Sequence, residues 1–474
     1  MEKVSKIVDD LIISIREVIN NREELQREIL IALGIFFCSI FGIMLFFFPV
    51  RIVCMIIILL VSIIAMIIEP YVGILVMVFV YFVILANLRY TAGVGELRPI
   101  FYIVYGTLLT MLYNKAAKRN FKFVYSSEDF ALGFLWITMV ISTFTAVVSK
   151  EISWDKNVDF LKTIVTYFLI TNLVTTQLRA NIFFWTVAGG TFALGLQGIR
   201  SYVSSGFVRT KFDLIGGGEL GGANELASTL GMLVPFSYYK IFSRNWLEKI
   251  CAIIVFCVLI LCIIFTGSRG GNLQLAGIII LMVLRTKERV KALIVLSLII
   301  ILFVLFAPQE YWDRMNTIKN YQQDESAMGR VEVWQTALNM WKDYPITGVG
   351  QRNFRLVWGK NISSTTYDTH NTYLQLLVEG GVLTLGAFLI LICLVFRSTR
   401  FIRKHSDPQK YGLQIYYLTY SIEIGLIGLF IASFFGVFGY FNPLYWFIGL
   451  TSSLKNIMKT QKSSKNNKVS YDKD

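Results

Sequence analysis

Apolar residues along the chain gather into long blocks separated by short polar stretches. Fourteen blocks can be drawn, at approximately 29–49, 51–68, 71–87, 99–114, 130–149, 158–176, 181–203, 222–243, 248–266, 271–286, 290–307, 372–396, 412–437 and 441–455. Most have the length of a bilayer-spanning helix, roughly 17–25 residues. The runs are unbroken and lack the alternation of a barrel strand. Backbone groups in lipid must be satisfied within the segment, so each block reads as a helix. The pattern predicts an all-α polytopic membrane helix bundle. Several blocks are short, so the expected count is about 12–14 transmembrane helices.

The polar stretches complete the organisation. Residues 1–28 form a charged, helix-prone N-terminal segment without the cleavage pattern of a signal peptide. Residues 29–307 hold eleven of the predicted helices, 371–457 hold the C-terminal ones, and 458–474 form a basic tail read as disordered. The long stretch 308–370 is different. Its charges balance, yet it is rich in aromatics: Tyr311, Trp312, Trp334, Trp341, Tyr344, Phe354 and Trp358. Loops of such length in compact proteins are usually functional or disordered, and the aromatics argue against disorder. Val331, Trp334, Leu338 and Trp341 recur at helical spacing, which predicts an amphipathic helix at a membrane interface, a lid packed on the bundle, or both.

Composition narrows the class. The 474 residues are 55 % hydrophobic and only 16 % charged, against about 25 % charged in soluble domains. A soluble enzyme and a disordered chain are both excluded. The 45 basic and 31 acidic residues leave a net charge of +14. The excess sits in short loops: Lys115, Lys118, Arg119 and Lys122; Arg285, Lys287, Arg289 and Lys291; Arg397, Arg400, Arg403, Lys404 and Lys410; and the C-terminal lysines. With an even number of spans, the positive-inside rule places all of these, and both termini, in the cytoplasm. The stretches 88–98, 150–157, 204–221, 267–270 and 308–370 then face outward. No folded basic domain or aromatic interleaving supports nucleic-acid binding. The six cysteines all fall in apolar blocks, and no structural disulfide is expected.

Few residues can carry chemistry. Only two histidines occur. His405 lies in a basic loop expected to be solvated. His370 ends the long outer loop, in Asp368-Thr369-His370-Asn371, at the membrane boundary and with Asp368 close enough in sequence to orient it. An imidazole there suits proton abstraction from a hydroxyl. The turn Thr266-Gly267-Ser268-Arg269-Gly270-Gly271 puts an arginine on the outer face, against the positive-inside trend. A guanidinium with free backbone donors suits a phosphate, and snorkelling is the plainer reading. The glycines either allow close approach of a ligand or simply make a tight turn. Arg209 and Lys211, followed by Gly216-Gly217-Gly218 and then Asn224-Glu225, add two outer cations. Gly348-Val349-Gly350 lacks the strand–helix context of a dinucleotide fingerprint. No zinc-ligand spacing is present, and Asp472-Lys473-Asp474 lies in the tail. Ser268 has no histidine near it in sequence to make it a nucleophile. Lys162, Glu379 and Glu423 lie in or near helices and are expected to face the bundle interior, as an ion pathway or as partners of an arginine.

Taken together, these residues match a family. Gly329-Arg330-x3-Trp334-x2-Ala337, Pro345-Ile346-Thr347-Gly348-Val349-Gly350, His370-Asn371-Thr372-Tyr373-Leu374-Gln375 and Glu379-Gly380-Gly381, with the Thr-x-Ser-Arg-Gly-Gly turn, resemble the signature region of the O-antigen ligase and polymerase family. The architecture is similar as well, although fourteen spans exceed the family's dozen or so. The resemblance implies an integral-membrane glycosyltransferase acting on the extracytoplasmic face of the bacterial plasma membrane. Its donor would be an undecaprenyl-diphosphate-linked oligosaccharide and its acceptor a glycan or lipid hydroxyl, with no cofactor and no metal. It implies His370 as base and Arg269 as a diphosphate ligand. Arg209 matches by location only, with Lys211 beside it. Asp368, Asn371, Arg330, Ser268 and Glu379 take supporting places. Polymerase and ligase are not separated by these residues, though a Lys- and Ile-rich composition leans toward a capsule or cell-wall polymerase. A transporter or flippase of the same lipid-linked glycan is the alternative. It calls for a charged central cavity and interrupted helices near the midplane.

Overall fold

A computed structural model describes residues 62–86, 99–119, 122–204, 222–243, 245–285, 289–306, 325–361, 368–406 and 413–471, all within the compact unit Ile57–Asp474. Every regular element among them is helical. We number these α1 (Pro70–Ala86), α2 (Pro99–Ala117), α3 (Ser127–Phe144), α4 (Lys150–Leu173), α5 (Gln177–Ser204), α6 (Ala223–Lys240), α7 (Trp246–Phe265), α8 (Arg269–Arg285), α9 (Arg289–Phe306), α10 (Glu325–Asp343), α11 (Asn353–Asn361), α12 (Thr372–His405), α13 (Leu413–Ala432) and α14 (Asn442–Tyr471). Twelve of them correspond to twelve of the predicted blocks, and α10 and α11 lie in the long stretch 308–370. The first predicted block and most of the second fall outside the described residues, as does the segment 1–28. Ser127–Phe144, Gln177–Ser204, Trp246–Phe265, Thr372–His405 and Ile415–Ala432 are each long and apolar enough to cross a membrane. The protein is an all-α polytopic membrane bundle.

Helices α4 and α14 extend past their apolar blocks. The predicted block at 158 becomes a helix from Lys150, because Ser149 accepts the Ile152 N–H at 3.3 Å and opens the first turn. The tail read as disordered also differs: α14 runs on to Tyr471, and the stretch 458–471 holds no Gly or Pro that would interrupt it.

Close backbone approach holds the bundle together. α13 lies on α6 at Gly425, where an added Cβ would stand 2.5 Å from the Met232 carbonyl oxygen. Small residues at such crossings are the usual means of packing helices in lipid. The aromatic core is built edge-to-face: Tyr81 and Phe82 meet Trp446 at 4.9 and 5.8 Å between ring centroids.

The bundle has two chemically distinct ends. At one, basic residues meet scattered carboxylates: Lys455 with Glu128 at 3.4 Å, Lys240 with Glu248 at 3.3 Å, and Arg285 and Arg403 with Glu423 at 2.9 Å each. The described parts of the predicted basic loops gather here. At the other end lie the starts of α4, α6, α8 and α12, the ends of α3, α7 and α13, and the helices α10 and α11.

The helix α10 departs in part from its predicted face, with Trp334 of the stripe packed on the bundle and its neighbours in the stripe turned away. Its buried residues are Val333 and Ala337, which share a cluster with Val349, Phe354, Trp358, Leu374 and Val378. Of the predicted stripe, Val331 and Leu338 are about two-fifths exposed, at 40 % and 41 %. The large residues of the stripe gave the sequence signal, whereas the dock against α12 uses a small alanine that lets the helices approach. One face of this helix packs on the bundle, as the lid expectation has it, and Val331 and Leu338 on another face stay exposed.

Candidate functional site

The site is built around the start of α12. Asn371 is its N-cap, and its side chain accepts the Tyr373 and Leu374 N–H groups at 3.0 and 3.1 Å. His370, just before the cap, has φ +49, a left-handed conformation uncommon for a residue with a side chain, though histidine tolerates it better than most. It is held from both sides. The Thr369 hydroxyl and N–H donate to Gln375 Oε1 at 2.8 and 3.2 Å, and the Thr369 carbonyl accepts the Trp334 indole N–H at 2.8 Å. On the other side, the Thr372 N–H donates to the Ser433 carbonyl, and the Thr372 hydroxyl donates to Gly436 O and accepts from the Phe438 N–H, each at 2.8 Å.

The 433–438 turn also touches the predicted arginine turn. An added Cβ at Gly270 would stand 2.9 Å from the Phe435 side chain. The same six-residue stretch therefore braces both His370 and Arg269, the first residue of α8. The α8 start is capped by Ser268, whose hydroxyl donates to Asn224 Oδ1 at 2.6 Å and accepts the Gly271 N–H at 3.0 Å. An added Cβ at Gly271 would come within 2.4 Å of the Ala227 Cβ. Of the two roles open to these glycines, the structure shows tight packing, against α6 and the 433–438 turn. Ser268 is a cap, with its hydroxyl already bonded twice. Arg209 and Lys211 lie outside the described residues.

Three charged residues act on the half-buried His370 imidazole. Burial lowers its pKa most, and Arg330 on α10 pushes in the same direction. Glu225 in the first turn of α6 and, less strongly, Asp368 raise it, and the net shift is downward. The neutral form, which can accept a proton, is therefore favoured near neutral pH. Glu225 was not singled out as a site residue by the sequence reading, which offered only Asp368, two positions away, as an orienting carboxylate. The chain separation of 145 residues left no local signal beyond its place beside Asn224.

Glu379 is buried, 1 % exposed. Among the described residues neither oxygen of its carboxylate has a hydrogen-bond partner. It stands where α12 breaks: Gly381 has φ +65 inside the helix. The broken ladder is repaired by the Pro345-Ile346-Thr347-Gly348-Val349-Gly350 stretch. Val349 and Gly350 N–H groups donate to the Val378 and Glu379 carbonyls at 2.9 and 3.0 Å, and the Val382 N–H donates to Pro345 O at 2.9 Å. The Ser142 hydroxyl adds a further bond to Glu379 O at 2.7 Å. Added Cβ atoms at Gly348 and Gly381 would meet opposing backbone at 2.4 and 2.1 Å, so both positions require glycine. This is the role of the glycine pair that lacked a nucleotide-binding context.

The other intramembrane charges do not join this site. Lys162 is not interior: it pairs with Asp159 at 2.8 Å with its side chain 32 % exposed. Glu423 pairs with arginines, but at the opposite end of the bundle. The three charges therefore trace no common pathway.

Fold and site together define a membrane-embedded helical protein with a histidine, an arginine and carboxylates assembled at one end. Residues 252–389 match the protein family described as O-antigen ligase. The match begins inside α7 and ends inside α12, and so encloses Arg269, Arg330, His370 and Glu379 but not Arg209 or Glu225. No curated protein matches the chain. The match supports a ligase- or polymerase-like glycosyl transfer in the building of cell-surface polysaccharide, within a membrane.

Proposed function

We propose that the protein transfers a glycan from an undecaprenyl-diphosphate-linked donor to an acceptor hydroxyl on the extracytoplasmic face, with inversion and without a metal. The observation that carries this reading is the shared brace at 433–438, which fixes the start of α8, at Arg269, and the start of α12, at His370, at one end of the bundle. A lipid diphosphate is already a good leaving group. What it needs is positive charge at the oxygen that departs and a base at the oxygen that attacks. Arg269 supplies the first, with Arg209 and Lys211 as further diphosphate ligands. His370 in its neutral form takes the acceptor proton, and Glu225 and Asp368 stabilise the imidazolium that results. Asn371 and Ser268 serve by fixing the backbone. Attack opposite the departing diphosphate inverts the anomeric carbon. The basic loops at the other end then face the cytoplasm, as the positive-inside rule requires.

Reconstituted enzyme with a lipid-linked oligosaccharide donor tests this. His370→Ala is expected to abolish transfer while the protein remains folded and inserted. Arg269→Lys is expected to damage it too, since a bidentate fork becomes a point charge. Undiminished transfer by His370→Ala would remove the base assignment. The flippase reading draws on one observation, the interruption of α12. That break lies on the His370 side of the helix's apolar run, and its freed backbone groups are bonded to 345–350. A vesicle assay following both lipid-linked glycan flux and new glycosidic bonds separates the two readings.

A further inference from the structure

The end of the bundle opposite His370 carries a cluster that glycosyl transfer does not use. Arg285 is the last residue of α8, Arg403 lies in the last turn of α12, and Glu423 lies within α13. Each arginine places one Nη1 atom 2.9 Å from a different oxygen of the same carboxylate. The carboxylate is inside, its side chain 7 % exposed, while the arginine side chains are 25 % and 24 % exposed. Both guanidinium carbons lie over the Tyr420 ring, at 5.6 and 5.3 Å from its centroid. Tyr416 donates its hydroxyl to that of Tyr420 at 3.3 Å.

Two guanidiniums against one carboxylate leave an excess of one positive charge. Among the described residues no second carboxylate pairs with either arginine. A guanidinium carries five N–H donors in a planar fork, and the shared carboxylate takes few of them. A half-buried excess charge is expensive without an anion, and a fork of this shape suits the oxygens of a phosphate. The setting decides the source. Both arginines stand where apolar helix gives way to basic termini, beside a group of tyrosines, which are enriched at headgroup level.

We propose that Arg285 and Arg403 form a binding site for the phosphate of an anionic membrane lipid, with Tyr420 as its aromatic wall. Glu423 holds the two forks in register from within, so that helices α8, α12 and α13 are joined by the protein on one side and by the headgroup on the other.

The full chain, reconstituted in nanodiscs of phosphatidylcholine with or without phosphatidylglycerol, tests this by native mass spectrometry of retained lipid and by the thermal midpoint. The wild type is expected to retain phosphatidylglycerol over phosphatidylcholine by on the order of tenfold and to melt higher when it is present. The double variant Arg285→Gln, Arg403→Gln should lose both effects, while the exposed Lys404→Gln keeps them. A triad that only ties helices together would be weakened equally in both lipids by Glu423→Gln. A lipid site instead keeps or raises its phosphatidylglycerol preference in that variant, because the excess charge grows. Equal retention of the two lipids by the wild type, or an unchanged preference in the double arginine variant, would overturn the proposal. So would a full midpoint shift from millimolar inorganic phosphate in pure phosphatidylcholine discs, which would make the ligand a soluble anion.

Discussion

The indole N–H of Trp334 donates to the carbonyl of Thr369 at 2.8 Å, tying the helix α10 to the residue next to His370. Trp334→Phe keeps most of the ring and removes this donor, leaving a buried carbonyl short of a partner. The expected loss is about 1–3 kcal/mol. Because the bond fixes the backbone at His370, transfer activity should fall severalfold in kcat while donor KM moves little. Steady-state kinetics with a lipid-linked donor, beside a thermal midpoint, checks the split.

Substitutions at the break in α12 should rank by what a new Cβ meets. Gly348→Ala and Gly381→Ala place a methyl group against opposing backbone at a positive φ. Strain of about 1–3 kcal/mol at each such position adds to the clash, so both variants should melt far below the wild type or fail to accumulate. Gly386, farther along the same helix, has nothing within 4 Å of an added Cβ. Gly386→Ala should be neutral or stabilising by up to about 1 kcal/mol through helix propensity. Melting in detergent is the measurement.

The acid limb of the transfer rate should report His370. Its pKa is held below the ordinary histidine value of about 6.5, so the rate should fall with decreasing pH through an inflection below that value, where the base becomes protonated. The neighbouring charges give opposite signs. Arg330 lowers the pKa, so Arg330→Gln should move the inflection up. Glu225 raises it, so Glu225→Gln should move it further down. Movement in the same direction for both would remove the electrostatic assignment.

Lys240 and Glu248 form a pair at the opposite end, 3.3 Å apart with side chains only 9 % and 10 % exposed. Trp185 Nε1 and the Ser243 hydroxyl also donate to Glu248, at 3.3 and 2.5 Å. Glu248→Gln strands a buried ammonium and should lower stability by about 3–5 kcal/mol. Lys240→Met alone strands the carboxylate with comparable loss, while the double variant should recover part of it. Thermal midpoints of the four proteins close the cycle, and transfer per folded molecule should stay unchanged.

Much of the bundle is legible along the chain because each span carries its own hydropathy signal. The start of α12 is legible to the residue, since Asn371 announces the cap and the apolar run follows at once. The start of α4 is not, because its first turns are polar and only Ser149 marks them. At the site, His370 stands out by rarity and Arg269 by breaking a charge trend, whereas Arg209 and Lys211 fall outside the described residues. Glu225 does not stand out, because its meaning arises from partners brought in by folding, and Trp334 stands out only as part of an apolar stripe and a signature, not as the donor to Thr369 that the fold makes it. The packed face of α10 misleads for a related reason: Ala337 weighs little in a hydropathy pattern but decides how closely a helix can lie. Likewise, the glycines at 348 and 350 make sense only once α12 is seen to break thirty residues downstream.

That break has a consequence for engineering. Residues 345–350 complete the main-chain pairing of a helix long and apolar enough to cross the bilayer, so this part of the loop is a structural part of the span it packs on. A graft that exchanges this loop with a relative's, in order to retune the acceptor, will therefore need to carry Val378 to Leu383 with it; a splice made between them would leave main-chain groups stranded near the start of the span.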